Sequence, residues 1–297
     1  MYYEAKGKGF PLLMITGVYE NLGCWDPRLI EALSGKFRLV LFDNRGAGRT
    51  DVSDREYSMK LLADDAVGLL SALRIPRAHV LGLSMGGMVA QELAINHPEK
   101  VSRLVLCSTA SKWNPNREES QIESAWDRNA SLEKLVELYL SFPFVRDYPI
   151  DVIRKNPMVT QAWTAAFVRE NPDFVNSYLQ RLNEHPVSDL GASRQFAAVK
   201  RHNTQGRLRR IRAPTLVVHG RHDFMIPPEN GKCLAEGMSN ARLVVLEKSA
   251  HCLAEEMDEV AKLVTEFLLE PETLVPGTGG VQTPRQSSAI ADQMRFT

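Results

Sequence analysis

Several things are scarce in this 297-residue chain, and each scarcity excludes something. Net charge is missing: 36 lysines and arginines offset 36 aspartates and glutamates, so no global field draws the chain to nucleic acid or an anionic membrane. Cysteine is sparse. Cys24, Cys107, Cys233 and Cys252 are scattered without a C-x-x-C pair, which fits reduced thiols better than a disulfide or zinc framework. Long apolar runs are absent. Met1-Tyr2-Tyr3-Glu4-Ala5-Lys6-Gly7-Lys8 lacks the apolar stretch of a secretory signal, and no segment approaches the span of a bilayer. The expectation is a cytoplasmic protein with a small-molecule substrate, no nucleic-acid or membrane partner, and no metal or cofactor. What the chain does have is 44% hydrophobic residues, enough for a sizeable core in one large α/β domain with an insertion.

One stretch organises the rest: Val80-Leu81-Gly82-Leu83-Ser84-Met85-Gly86-Gly87-Met88-Val89-Ala90. It reads as a buried strand, a very tight turn, then a helix from Met85 to Asn96 with apolar spacing at Met88, Val89 and Leu93. Gly82-Leu83-Ser84-Met85-Gly86 matches G-x-S-x-G. A serine on so sharp a turn projects its hydroxyl from the sheet edge, and its flanking positions must be small because strand and helix backbones nearly touch. The turn also puts Ser84 at a helix N-terminus, where the Met85 amide faces any negative charge forming nearby.

Apolar runs at residues 11–16, 37–42, 77–83, 101–107, 214–220 and 242–246 alternate with helical patterns, among them Ser58 to Leu73 with Ser58 as N-cap and Met257 to Leu269. That rhythm predicts right-handed βαβ units and a mostly parallel sheet flanked by helices. Thr16, Asp43, Ser84 and Cys107 all end strands, the edge where such sheets place their reactive groups. Between Trp113 and Gly206 no convincing strand occurs. Large apolar groups such as Trp126, Leu135, Tyr139, Trp163, Phe167, Phe174 and Tyr178 are punctuated by Pro143, Pro149, Pro157, Pro172 and Pro186, as expected of an inserted helical cap. The expected division is core at 1–111, cap at 112–205, core again at 206–270, and a Gly/Pro-rich tail at 271–297 that reads as mobile.

Ser84 is a poor nucleophile without a base and an orienting carboxylate. Of seven histidines, His251 lies just past the last strand, where a loop at the sheet edge reaches Ser84. His219 reads as packed at a strand end, His222 as exposed, and His97 as a helix C-terminal residue. Asp223 follows Gly220-Arg221-His222 after the preceding strand, so the order Ser84, Asp223, His251 is that of a hydrolase built on such a sheet. Glu255 and Asp258 suit the start of the closing helix. Cys252 beside His251 invites a thiol reading, but sequence neighbours on a loop usually point apart. The expected oxyanion donors are the backbone N–H groups of Val18 and Met85.

These segments resemble the α/β-hydrolase superfamily, specifically its capped group of carboxylesterases, enol-lactonases, C–C bond hydrolases and cofactor-free haloperoxidases. Thr16-Gly17, Asp43-Asn44-Arg45-Gly46-Ala47-Gly48-Arg49-Thr50, Gly82-Leu83-Ser84-Met85-Gly86-Gly87, Gly220-Arg221-His222-Asp223 and Ser249-Ala250-His251 carry the resemblance, which spans Pro11 to about Leu269. Where the family usually has His-Gly this chain has Thr16-Gly17, and Ala250 stands where Gly commonly precedes the histidine. The resemblance implies acyl transfer to water through Ser84. A serine at the elbow argues against dehalogenase or epoxide-hydrolase chemistry, which needs a carboxylate there. The leading expectation is a carboxylesterase for small to medium acyl esters. A lactonase of the enol-lactonase type, a C–C hydrolase, a perhydrolase and a non-catalytic binding protein follow in that order. Arg194, Lys200, Arg201, Arg207, Arg209, Arg210 and Arg212 crowd the cap-to-core connection. They read first as a solvated linker, and second as a site for an anionic acyl carrier, which would make the protein a thioesterase.

Overall fold

A computed structural model describes residues 1–115, 118, 120–122, 125 and 131–271. The expected tail at 271–297 therefore lies outside the described residues from 272 onward, as does Trp126. Among the described residues one sheet of seven strands runs in the order β1-β3-β2-β4-β5-β6-β7. The strands are β1 (Tyr3–Lys6), β2 (Phe10–Ile15), β3 (Phe37–Phe42), β4 (Ala78–Leu83), β5 (Val101–Cys107), β6 (Thr215–Gly220) and β7 (Ala241–Leu246). Only β1 is antiparallel, pairing Tyr3 with Phe42 and Lys6 with Leu39; every other pair is parallel. Strand β1, at the sheet edge, is four residues long.

Alternation along each strand sends side chains to two cores. Leu13, Ile15, Val40, Phe42, Val80, Leu104 and Leu106 pack beneath α2 (Met59–Ala72) and α3 (Met85–Asn96). Leu12, Met14, Leu39, Leu41, Leu81, Val105 and Val218 face α1 (Pro27–Ser34) and the closing helix (Met257–Leu269). The closing helix buries Met257, Val260, Ala261, Val264, Phe267 and Leu268 on one stripe. Each large member contributes about 1.5–3 kcal/mol of transfer free energy, before the entropy of ordering is subtracted. Ser58 caps α2, its hydroxyl accepting from Leu61 N–H at 3.1 Å.

Between β5 and β6 the described residues form α4 (Leu132–Leu140), α5 (Ile150–Lys155), α6 (Val159–Ala162), α7 (Ala165–Glu170), α8 (Pro172–Glu184) and α9 (Asp189–Arg201). A proline precedes or opens several of them, since proline fits a first helical turn but not an interior. One isolated bridge, Lys112 to Asn203, closes the neck of this segment. Trp163 is its central buried ring, packed with Val159, Val168, Val175 and Leu179. Two helices went unmarked in the sequence reading: α1, and α10 (Glu229–Gly237), which precedes β7; the closing helix is α11. Among the described residues no helix is long and apolar enough to cross a membrane.

Candidate active site

Ser84 sits between β4 and α3 at φ 53°, a left-handed conformation that a non-glycine residue adopts only when its surroundings enforce it. Three bonds do so. Ser84 N–H donates to Cys107 C=O at 2.9 Å, while its own C=O accepts from Gly87 N–H at 2.9 Å and from Thr109 Oγ1 at 2.7 Å. The flanking glycines are sterically required. A Cβ on Gly82 would lie 2.3 Å from Gly86 O, and one on Gly86 would lie 2.0 Å from Ile15 O. Met85 opens α3, so its N–H has no intrahelical acceptor. The turn at Gly17-Val18 packs on the serine: a Cβ on Gly17 would be 3.4 Å from Ser84 Cβ.

His251 follows β7 and is buried, with Nδ1 2.8 Å from Asp223 Oδ2. Asp223, on the turn after β6, is held in turn: its Oδ1 accepts from Ile226 N–H at 2.9 Å. The two loops are tied by His222 N–H donating to Ser249 C=O at 2.9 Å. Burial opposes charge on Asp223, but the facing His251 and the bonds from His219 and His251 outweigh it and hold the carboxyl below its ordinary range. For His251 burial disfavours the imidazolium, yet Asp223 and the more distant Glu20 overcome that and raise its pKa. Ser84, His251 and Val18 line one cavity, and Met85 lines an adjoining apolar lobe with Ser84, Met88, Met158 and Met225. All five residues singled out in the sequence therefore converge on one region.

Other expectations also find their places. His219 is fully buried, as its strand-end position implied, but it is not a bystander: Nε2 bonds Ile226 O at 2.6 Å and lies 3.3 Å from Asp223 Oδ2. Glu255 accepts from Thr164 N–H at 2.7 Å, joining the inserted helices to the core. Burial pushes the Cys252 thiol well above its usual pKa, which leaves it a weak nucleophile despite lining the cavity. The basic cluster is partly spoken for. Arg207 forks onto Glu92, Arg201 donates to Tyr57 O at 2.9 Å and Arg194 to Ser53 O, while Arg209, Arg210 and Arg212 are exposed.

One acidic side chain of the cavity wall was not singled out from the sequence. Glu20 lines the cavity beside Ser84 and His251. Its Oε2 accepts from Gly17 N–H at 2.7 Å and its Oε1 from Tyr178 Oη–H at 3.0 Å. Burial pushes its pKa up, and the two donors offset that only in part. Beside it, Asn21 Nδ2 donates to the carbonyls of Arg181 and Leu182 at the end of α8 and of His185 just past it, and Arg181 Nε donates to Gly23 O at 2.8 Å. Thr16 Oγ1 accepts from Asn44 Nδ2 at 3.2 Å. The loop that usually begins His-Gly is thus fastened by Asn44, Glu20 and α8. The available signal was proximity: Glu20 stands two residues past an expected oxyanion donor.

A sheet of this order, a serine at a strained strand-to-helix elbow, and an Asp–His pair on the loops after β6 and β7 define a class of protein. The chain belongs to the alpha/beta hydrolase fold family, whose model matches residues 11–258. Among its relatives, 2-hydroxymuconate semialdehyde hydrolase of Pseudomonas sp. (strain CF600) is 32% identical over 271 residues, 90% of this chain and 89% of that one. A relative from Rhizobium rhizogenes named for carbamate hydrolysis, RutD, is 28% identical over 275 residues, 90% of this chain and 97% of that one. The solved enol-lactonase of Burkholderia xenovorans superposes with a TM-score of 0.75 at 24% identity, over 91% of this chain and 96% of that one, which speaks to the fold alone.

Proposed function

We propose that this hydrolase cleaves carboxylic esters of small to medium acyl groups through an acyl-enzyme on Ser84. The observation that carries the reading is the strained Ser84 opening onto the same cavity as His251, whose Nδ1 is 2.8 Å from buried Asp223. His251 Nε2 takes the Ser84 proton as Oγ adds to the carbonyl carbon. The Val18 and Met85 N–H groups receive the oxyanion, each worth about 10²–10³ in kcat. Collapse breaks the ester bond, and His251 returns the proton to the leaving alkoxide. Water then adds to the acyl-serine with His251 again as base, and the acid departs. Asp223 keeps the imidazole proton on Nδ1 and balances the imidazolium. The helices between β5 and β6 act as the cap that excludes bulk water from this exchange.

Two relatives are named for a carbamate and for a muconate semialdehyde, and one fold hosts more than one chemistry. The lactonase reading is therefore kept as the second. The thioesterase reading is weaker: none of the clustered arginines lines the cavity. A burst of p-nitrophenol from p-nitrophenyl acetate, lost in Ser84→Ala, tests the acyl-enzyme. Comparing kcat/KM over matched esters of increasing acyl length, lactones and carbamates tests the substrate. A lactone or carbamate preferred over every ester displaces the ester reading.

A further inference from the structure

The cavity continues past Ser84 into a second lobe, and both share Glu20, Leu83, Trp163, Tyr178 and Cys252. Where they meet, the Trp163 and Tyr178 rings stand at 89° with centroids 4.8 Å apart, and Phe174 meets Trp163 at 5.6 Å. Glu20 is part of that corner, tied to Tyr178 itself. Among the described residues no lysine or arginine lines either lobe. The second acid on the wall, Asp26, is already neutralised by Arg28 at 2.7 Å. Glu20 instead is held by two uncharged donors, the Gly17 N–H and the Tyr178 hydroxyl.

We propose that Glu20, Tyr178 and Trp163 form an ammonium-binding subsite, which selects esters carrying a positively charged nitrogen and rejects those carrying a carboxylate. This deepens the ester-hydrolase reading and rests on it for turnover. A carboxylate against perpendicular aromatic walls in a mostly apolar cavity attracts an organic cation twice, through opposite charge and through the rings' negative faces. An anionic substrate meets like charge there, and among the described residues no lysine or arginine lines the wall to compensate. The two donors to Glu20 pre-orient it at no expense to the ligand. A substrate ammonium then completes the shell of a carboxylate that burial leaves under-solvated.

The test compares acetates of matched shape: 3-(trimethylammonio)phenyl, 3-tert-butylphenyl and 3-carboxyphenyl. The expected kcat/KM favours the cation over its tert-butyl isostere by about tenfold or more, and disfavours the carboxylate by a similar factor. In Glu20→Gln both ratios collapse toward one. Glutamine retains both bonds, accepting from Gly17 N–H and donating to the Tyr178 oxygen. Tyr178→Phe keeps the carboxylate, so the cation preference persists there; this second variant decides the matter if Glu20→Gln folds poorly. A binding arm needs no catalysis: Ser84→Ala should take phenyltrimethylammonium, but not benzoate, by titration calorimetry. Equal turnover of cation and isostere, or a preference that survives Glu20→Gln, overturns the subsite while leaving the hydrolase intact. If no ester is turned over, the ester reading fails, and the calorimetry alone decides the subsite: no binding of phenyltrimethylammonium at millimolar concentration overturns it.

Discussion

Replacing Asp223 by asparagine isolates the carboxylate's role, because the geometry offers the amide only two placements. With its oxygen kept where it accepts from Ile226 N–H at 2.9 Å, the NH₂ falls at the position 2.8 Å from His251 Nδ1. It then donates to that nitrogen and forces the imidazole proton onto Nε2, so the base cannot accept from Ser84. Flipped, the NH₂ faces the Ile226 N–H and leaves a buried donor unpaired, at about 1–3 kcal/mol. Either way the imidazolium loses its counter-charge. Together these predict a fall in kcat of about 10³–10⁴, equivalent to about 4–5.5 kcal/mol of barrier. Steady-state hydrolysis of p-nitrophenyl acetate measures it, with a melting curve to confirm that the variant is folded. A loss below about tenfold in a folded variant would refute the orienting role and the tautomer argument with it.

Three further outcomes are expected of the same site and core. Because Asp223 and Glu20 raise the His251 pKa, the acid limb of kcat/KM should titrate above the ordinary imidazole value of about 6.5, and Glu20→Gln should move it to lower pH; an unmoved limb would remove Glu20 from the base's electrostatics. Gly86→Ala places a methyl 2.0 Å from the Ile15 carbonyl oxygen, and since neither backbone can yield, the melting temperature should drop by about 5 °C or more, with activity lost. His79 and His202 are held neutral by burial, their pKa values pushed down to about 4, so the unfolded chain binds protons that the folded one refuses. Stability should therefore decline as pH falls from about 6.5 toward 4, by on the order of 1 kcal/mol per pH unit for each, with buried His251 working in the opposite sense. His202→Gln should flatten the melting temperature against pH between 7 and 5.

The elbow was legible because its logic is local: Gly82 and Gly86 are dictated by atoms that the G-x-S-x-G spacing itself brings together. The strands were legible because parallel strands buried on both faces need continuous apolar runs, and Ser58 announced α2 through a side chain three residues from its partner amide. Helix α1 carried a comparable signal, Asp26 accepting from Arg28 N–H with Pro27 in the first turn, but its eight residues sit in a stretch dominated by the neighbouring strands. Glu20 was not legible in that way. Its meaning depends on Tyr178, 158 residues further on, and no periodicity or spacing links the two. The same holds for His219: burial followed from its strand, but its approach to Asp223 depends on how the turn through Ile226 folds back.

The fastening of α8 to residues 20–23 bears on how such a molecule can be recombined. Because Asn21 terminates that helix and Arg181 and Tyr178 reach back to Gly23 and Glu20, the inserted segment and the turn before α1 were built as a matched set. Grafting a relative's insertion onto this core should therefore succeed only when residues 16–25 travel with it. Transplanted alone, the new helices would leave the Gly17-Val18 turn without its anchor.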